Sequence, residues 1–352
     1  RKAVRRERAP GGPVAKGEDT VPKLSDIAVR TGLNVSTVSR ALRESDDISR
    51  DTIRRVQMVA QQIGYRYRKL DQQSARSIGV ILPEVRSHYY AEIAHAITKE
   101  IGKHGYSALL MLSGFDTERI MAAFEEMLKQ DIVGVILSGI PGVDEQRVAA
   151  CTLPTVVLTE ANLLASIDTI FVDSNSVMRQ ALEHLAALGH ERIGYVGEYA
   201  SDIRYRALVE LCRQREMPLD PRFVKRGAER FELGGYLRAK ELLQEKELPT
   251  AIIASYDQVA FGAMRAMQEA GLSIPRDMSV VGVDDTILGD YMPVKLTTVT
   301  NPGSHMGVVA VKLLMDSVQK PLDHVVQRVA LQSRLIARES TAPAPNAKSD
   351  GR

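Results

Sequence analysis

The chain has 352 residues, 44% hydrophobic and 26% charged, with a formal net charge of +2. That length predicts two or three domains with sizeable cores, and no apolar run reaches the ~20 residues of a membrane-spanning helix. The charge is uneven: residues 1–70 hold 16 Lys/Arg against 8 Asp/Glu, leaving 30 against 36 for the rest, so a basic head sits on an acidic body and one end is suited to a polyanion.

The N-terminal RKAVRRERAP has no apolar core, so no secretory signal is expected, and residues 1–20 read as a disordered basic tail. Cys151 and Cys212 are the only cysteines and form no CxxC pair, which suggests reduced, structural thiols in a cytoplasmic protein.

Residues 21–65 read as three short helices. Leu24, Ile27 and Ala28 fall at i, i+3 and i+4 of the first, and Gly32 suits its C-terminal stop. Asn34 can cap the second, whose inward stripe is Val35, Val38, Ala41 and Leu42. Ser49 caps the third, whose stripe is Ile53, Val56, Ala60 and Ile63. Two helices joined by a glycine-containing turn, with a third beside them, make a helix-turn-helix. The second helix then exposes Ser36, Thr37, Ser39, Arg40 and Arg43, hydroxyl and guanidinium donors for phosphates and base edges in the major groove of DNA. The plain alternative is a solvated helical hairpin.

LSDIAVRTGLNVSTVSRAL resembles the DNA-binding head of the lactose/galactose repressor family of bacterial regulators, and DDISRDTIRRVQMVAQQIGY resembles that family's third helix. The resemblance implies that Val35, Ser36 and Arg40 read bases and that Thr37, Ser39 and Ser49 meet phosphates. Arg43 stands where the family commonly has Asn. After the glycine-tyrosine the family continues into a hinge helix, Pro-Asn-x-x-Ala-Arg-x-Leu, which wedges leucines into the minor groove. Here residues 66–77 are short and atypical: Tyr67 replaces the proline, the Ala-Arg-x-Leu signature is absent, and Leu70 is the only apolar wedge candidate. Arg66, Arg68, Lys69 and Arg76 offer instead contacts along the DNA backbone or in a narrow minor groove, and a plain polar linker is the other reading.

From Ile78 onward, β-branched runs alternate with helical patterns: IGVIL, SALLML, VGVIL, TVVL, TIFV, RIGYVG, AIIAS and SVVGV. Such runs predict parallel strands buried on both faces, and about 260 residues of them predict two doubly wound α/β lobes over 78–340, with 341–352 a disordered tail. Ligands in such sheets lie at the carboxyl ends of strands. Those ends are Glu84–Tyr90, Ser113-Gly114, Ser138-Gly139, Asp173, Glu198–Arg204, Ser255–Asp257 and Asp284-Asp285. Tyr89 and Tyr90 offer ring faces to a sugar, Arg204 a fork of donors, and Asp284 two acceptors. Core tyrosines, a surface ion pair and a loop cap are the ordinary alternatives.

LEHLAALGHERIGYVG, IPRDMSVVGVDD, LTTV and SRLIARESTA extend the resemblance to the family's body, a fold similar to periplasmic sugar-binding proteins. In that likeness Ser87-His88-Tyr89-Tyr90 replaces Asn-Pro-aromatic-aromatic. Arg204 is kept from Arg-x-x-Gly-aromatic, Tyr256 and Asp257 stand in the Ala-x-Asn-Asp loop, and Asp284 matches the ligand-binding Asp. No dinucleotide, Walker, nucleophile-elbow or zincin motif occurs, and the seven histidines are scattered, with His184 and His190 read as polar surface or a helix cap. No cofactor and no metal are expected. The expectation is a cytoplasmic, homodimeric regulator that binds double-stranded operator DNA and answers to a sugar or sugar derivative, without catalysis. A sugar-binding transport module or a sugar-modifying enzyme would share the body fold.

Overall fold

A computed structural model describes residues 23–42, 45, 47–63, 65, 77–138, 143–160, 164–199, 202–321 and 323–345. The expected basic tail, Arg43, the hinge with Leu70, and the chain beyond 345 lie outside these residues. The chain divides into two compact units, residues 1–74 and 75–352.

The first unit holds α1 (Leu24–Thr31), α2 (Val35–Leu42) and α3 (Arg50–Gln62). Ile27, Ala28, Val38, Ala41, Leu42, Val56 and Ala60 make its core, closed by Leu33, Ile48 and Tyr65. Gly32 takes φ 66°, the left-handed conformation that lets the chain turn sharply after α1. Asn34 caps α2 as expected: its Oδ1 accepts from the Thr37 N–H at 2.7 Å and the Ser36 hydroxyl at 2.8 Å. Ser49 Oγ accepts from the Thr52 N–H at 3.3 Å at the start of α3.

The second unit runs β1 (Ser77–Leu82), α4 (His88–Lys103), β2 (Ser107–Leu112), α5 (Thr117–Leu128), β3 (Ile132–Ser138), α6 (Glu145–Ala149), β4 (Thr155–Thr159) and β5 (Asp168–Val172). There follow α7 (Ser174–Ala187), β6 (Ile193–Glu198), α8 (Asp202–Gln214), β7 (Val224–Gly227), α9 (Phe231–Leu242), β8 (Ala251–Ala254), α10 (Asp257–Glu269) and β9 (Ser279–Asp284). It ends with α11 (Leu288–Tyr291), β10 (Thr297–Thr300), α12 (Gly303–Gln319), β11 (Arg328–Leu331) and β12 (Leu335–Ile336). The first lobe's sheet is ordered β11-β5-β4-β3-β1-β2 and is parallel throughout. The second is β12-β10-β9-β8-β6-β7, parallel except for β12. The chain passes between lobes three times, at residue 173, at 301–302 and at 332–334. Thus α12, late in sequence, packs on α4, β3, β4 and β5 of the first lobe.

Three expectations change. β2 is not buried on both faces: it is an edge strand, and Leu109, Leu110 and Leu112 are exposed. The C-terminal tail does not begin at 341. Thr341 Oγ1 bonds His184 Nε2 at 2.9 Å, the Ala342 N–H donates to Ser279 Oγ at 3.1 Å, and the Ala344 N–H donates to the Leu188 carbonyl at 2.8 Å. Backbone groups that find partners on β9 and α7 hold this segment in place. His190 is not surface either. It is buried, bonded to Thr250 Oγ1, Ser279 Oγ and the Ala342 carbonyl, and burial lowers its pKa.

Candidate DNA face and ligand cleft

Along α2 the exposed residues are Val35, Ser36 and Arg40, with Thr37 half-buried. Val35 is 42% exposed. The inward stripe drawn from the sequence therefore starts one turn later, because the first residue of α2 runs past its neighbours. Ser39, drawn on the outer face, is only 8% exposed and offers a duplex little surface. The other outer residues share one face with the helix N-terminus, where unsatisfied N–H groups favour a phosphate.

The cleft is built from strand ends of both lobes. Ser87 caps α4, its Oγ accepting from the Tyr90 N–H at 3.2 Å, and Glu84 accepts from the Ser87 N–H at 2.9 Å. This turn opens α4 without an Asn-Pro. It places Tyr89 and Tyr90 in the helix's first turn with ring centroids 5.0 Å apart, edge to face. Tyr90 meets Phe115 at 5.7 Å, and the Arg230 guanidinium of the second lobe lies 4.0 Å over the Phe115 ring of the first. Arg86 returns the contact, 5.1 Å over Phe231. Arg230 is anchored by Glu198, which is buried and accepts from Arg230 Nε at 2.8 Å and from the Phe231 N–H at 3.0 Å. Burial raises the Glu198 pKa, and Arg230 opposes the rise.

Arg204 sits between the lobes. It is buried, and its Nη1 donates to the Ser255 carbonyl at 2.7 Å. Its Nη2 donates to Glu160 Oε1 of the first lobe at 2.8 Å and lies 3.6 Å from Asp284 Oδ1. Burial works against this charge, but Glu160 and Asp284 outweigh it and hold the guanidinium above its ordinary pKa. Asp284 has the reverse balance. Burial lifts its pKa to about 6 against the pull of Arg204 and of Asn301, whose Nδ2 donates to it at 3.0 Å. Asp284 and Asp285 both have positive φ, 112° and 56°. Strained backbone of this kind persists where the surroundings impose it, and it gathers at binding sites. Burial also raises the Tyr89 and Tyr90 phenols, so both rings stay neutral.

An open cavity of about 710 Å³ has Tyr89, Asp284, Asn301, Arg334 and Arg338 among its lining residues. Four residues expected at the ligand, Tyr90, Arg204, Tyr256 and Asp257, do not line it, and the last two are held inside the second lobe. Asp257 is fully buried, accepting from Thr298 Oγ1 at 2.7 Å and from the Thr286 N–H at 2.7 Å, so it ties the α10 start to β10 and the loop after β9. Burial lifts its pKa to about 8. Tyr256 packs against Phe231, and its hydroxyl accepts from the Phe231 N–H at 3.1 Å, which leaves its ring in the second lobe's core. In both cases position in a loop at a strand end did not decide side-chain direction. Sequence reasoning missed Glu160, although it follows TVVL as the other strand ends follow their strands. Phe115 and Arg230 lie outside any motif and meet only across the cleft.

Among the described residues, no group of three His, Cys, Asp or Glu could hold a metal ion, and no helix is long and apolar enough to cross a membrane.

A helical head with a cationic, hydroxyl-bearing recognition helix, followed by a two-lobed sensor with a polar cleft, defines a ligand-responsive, DNA-binding transcriptional regulator. The pattern of bacterial regulatory proteins of the lacI family matches residues 23–67, and a periplasmic binding protein-like domain matches residues 182–341. The transcriptional repressor CytR of Escherichia coli K12 is 30% identical over 348 residues, covering 94% of this chain and 99% of that protein. The lac repressor dimer bound to operator and the anti-inducer ONPF matches with TM-score 0.68 and 26% identity, covering 91% of this chain and 99% of that one. A lacI-family regulator from Enterococcus faecium with bound ribose matches with TM-score 0.66 and 26% identity, over 76% of this chain and 99% of that one. The chain belongs to the lacI family of bacterial regulatory proteins.

Proposed function

We propose that the protein is a cytoplasmic, dimeric repressor of carbohydrate-utilisation genes, released from its operator by a sugar or sugar derivative, and that it catalyses no reaction. The observation that carries the effector reading is Arg204, a buried guanidinium bridging a carboxylate of each lobe. A polyhydroxylated ligand can replace those partners one for one: hydroxyl oxygens accept from Arg204, and hydroxyl protons go to Glu160 and Asp284. With acids flanking the arginine, the site suits a neutral polyol better than an anion. Tyr89 and Tyr90 supply ring faces. The sugars held by related regulators, ribose among them, are of this class.

Val35, Ser36, Thr37 and Arg40 are the DNA contacts of this reading, with Ser49, Ser39 and Arg43 secondary. Two heads read half-sites about 34 Å apart, one helical turn. The exposed leucines of β2 favour a dimer, since an apolar edge strand left open is an aggregation hazard. An effector shifts DNA affinity only through different affinity for the two lobe arrangements, and a coupling of ~1–3 kcal/mol gives roughly 5–150-fold.

The test is a thermal-shift screen of ribose, other pentoses, hexoses and cellobiose, followed by gel shifts on the promoter fragment of its own gene. A stabilising sugar that lowers DNA affinity is the expected result. A sugar that stabilises the protein but is consumed would make it an enzyme, and stabilisation by none would remove the carbohydrate reading.

A further inference from the structure

The recognition face carries a carboxylate among its donors. Asp47 lies in the turn between α2 and α3, and its Oδ2 accepts from Arg40 Nη1 at 2.6 Å. The turn is braced on both sides. The Ser45 N–H donates to the Arg40 carbonyl at 3.1 Å and the Ile48 N–H to the Ser45 carbonyl at 3.0 Å. Ile48 packs on the head's core, and Ser49 caps α3. Arg40 stands on a regular helix, and Asp47 directly precedes the core-packed Ile48.

The pair does little for folding. Its side chains are 44% and 54% exposed, and ion pairs so exposed contribute little to stability. A carboxylate on a surface meant for DNA also opposes binding, because affinity there comes mainly from cations meeting phosphates. Its contribution therefore lies in where it points the guanidinium. Arginine reads guanine with two parallel N–H donors to O6 and N7, and the planar fork must be aligned with the base edge to do so. One Nη1 proton held by Asp47 restricts the rotation of that plane and leaves the other donors free. A guanidinium oriented in advance loses less freedom on binding. The same carboxylate repels a phosphate that would otherwise compete for Arg40.

We propose that Asp47 is a positioning residue for DNA recognition: it holds Arg40 in the orientation that selects guanine and denies it the phosphate-bound alternative. Asp47 thus gives up affinity for all DNA in exchange for discrimination at one base pair of each half-site. The inference rests on the reading of Arg40 as a base contact.

The experiment uses the full-length protein and a randomised duplex library. The wild type selects its preferred site, each base pair of which is then varied singly. Affinities are measured for the wild type, Arg40→Ala, Asp47→Asn and the double variant, with helical content checked by circular dichroism. Arg40→Ala is expected to erase the preference at one base pair per half-site. Asp47→Asn is expected to weaken the preference at that same pair by about tenfold, within the range of a bidentate contact. It should leave the other pairs unchanged and bind unrelated duplex more tightly. The double variant should lose nothing beyond Arg40→Ala. If Asp47→Asn tightens binding to every sequence equally and keeps the guanine preference, the positioning role is overturned. If Arg40→Ala keeps every base preference, the reading of Arg40 itself fails.

Discussion

Removing the guanidinium at the centre of the cleft tests the site and its energetics together. In Arg204→Ala the Ser255 carbonyl loses its donor, Glu160 its partner, and Asp284 its cation at 3.6 Å. Water recovers Glu160, whose side chain is a third exposed, but the Asp284 side chain is 8% exposed. Stranding a buried charge ordinarily costs about 3–5 kcal/mol. Here the penalty is capped, because Asp284 can take a proton. Its pKa is about 6, so at pH 7 the protonated form lies one unit above the ionised form. One unit is about 1.4 kcal/mol, and the loss from the stranded charge cannot exceed that. An unsatisfied carbonyl at Ser255 adds about 1–3 kcal/mol. The expected destabilisation at pH 7 is therefore about 1–4 kcal/mol. At pH 5 the charge contribution nearly vanishes, and at pH 8 its cap rises to about 3 kcal/mol. Urea unfolding followed by circular dichroism at pH 5 and pH 8 measures the difference. Adding Asp284→Asn should remove the pH dependence of the Arg204→Ala penalty. A penalty equal at both pH values would refute the coupling of Arg204 to Asp284. In gel shifts, Arg204→Ala should keep its operator affinity and lose its release by the effector.

Asp257 has a folded-state pKa near 8 against an ordinary 3.8, so the folded protein keeps a proton that the unfolded chain has released. Its contribution to stability thus falls as pH rises between these values, by up to about 1.4 kcal/mol per unit. Asp257→Asn should flatten that decline in urea titrations; an unchanged slope would place the titration elsewhere. Leu110→Lys on the exposed edge of β2 should shift the protein from dimer to monomer in sedimentation and weaken operator binding, and a variant still dimeric would move the interface away from β2. A Cβ at Gly303 would sit 3.1 Å from the Tyr89 ring and 3.2 Å from Ile93. Gly303→Ala should therefore weaken effector binding by displacing the ring. Equal effector affinity by calorimetry would detach Tyr89 from the site.

Much was legible along the chain because it depends on neighbours in sequence. The three-helix head follows from i, i+3, i+4 stripes, a left-handed Gly32 and the Asn34 and Ser49 caps, all local physics. The parallel strands follow from β-branched runs too apolar to face water, and SALLML was placed to the residue even though its exposure was not. The choice of Arg204 and Asp284 came from the rule of strand ends together with the family likeness, and the structure brings these two within ion-pair distance. What required the tertiary structure was every contact between elements distant in sequence. Glu160 meets Arg204 only because the lobes face each other across three crossings. Phe115 and Arg230 touch for the same reason. Asp257 and Tyr256 turn inward because Thr286, Thr298 and Phe231 offer them partners there, and the Thr341–Ala344 segment docks because β9 and α7 present unpaired groups to it. A sequence records the propensity of each segment and the chemistry of each side chain. Which of two possible partners a polar group meets is decided only when the chain has closed, because a buried donor or acceptor must take whatever the packed neighbours provide.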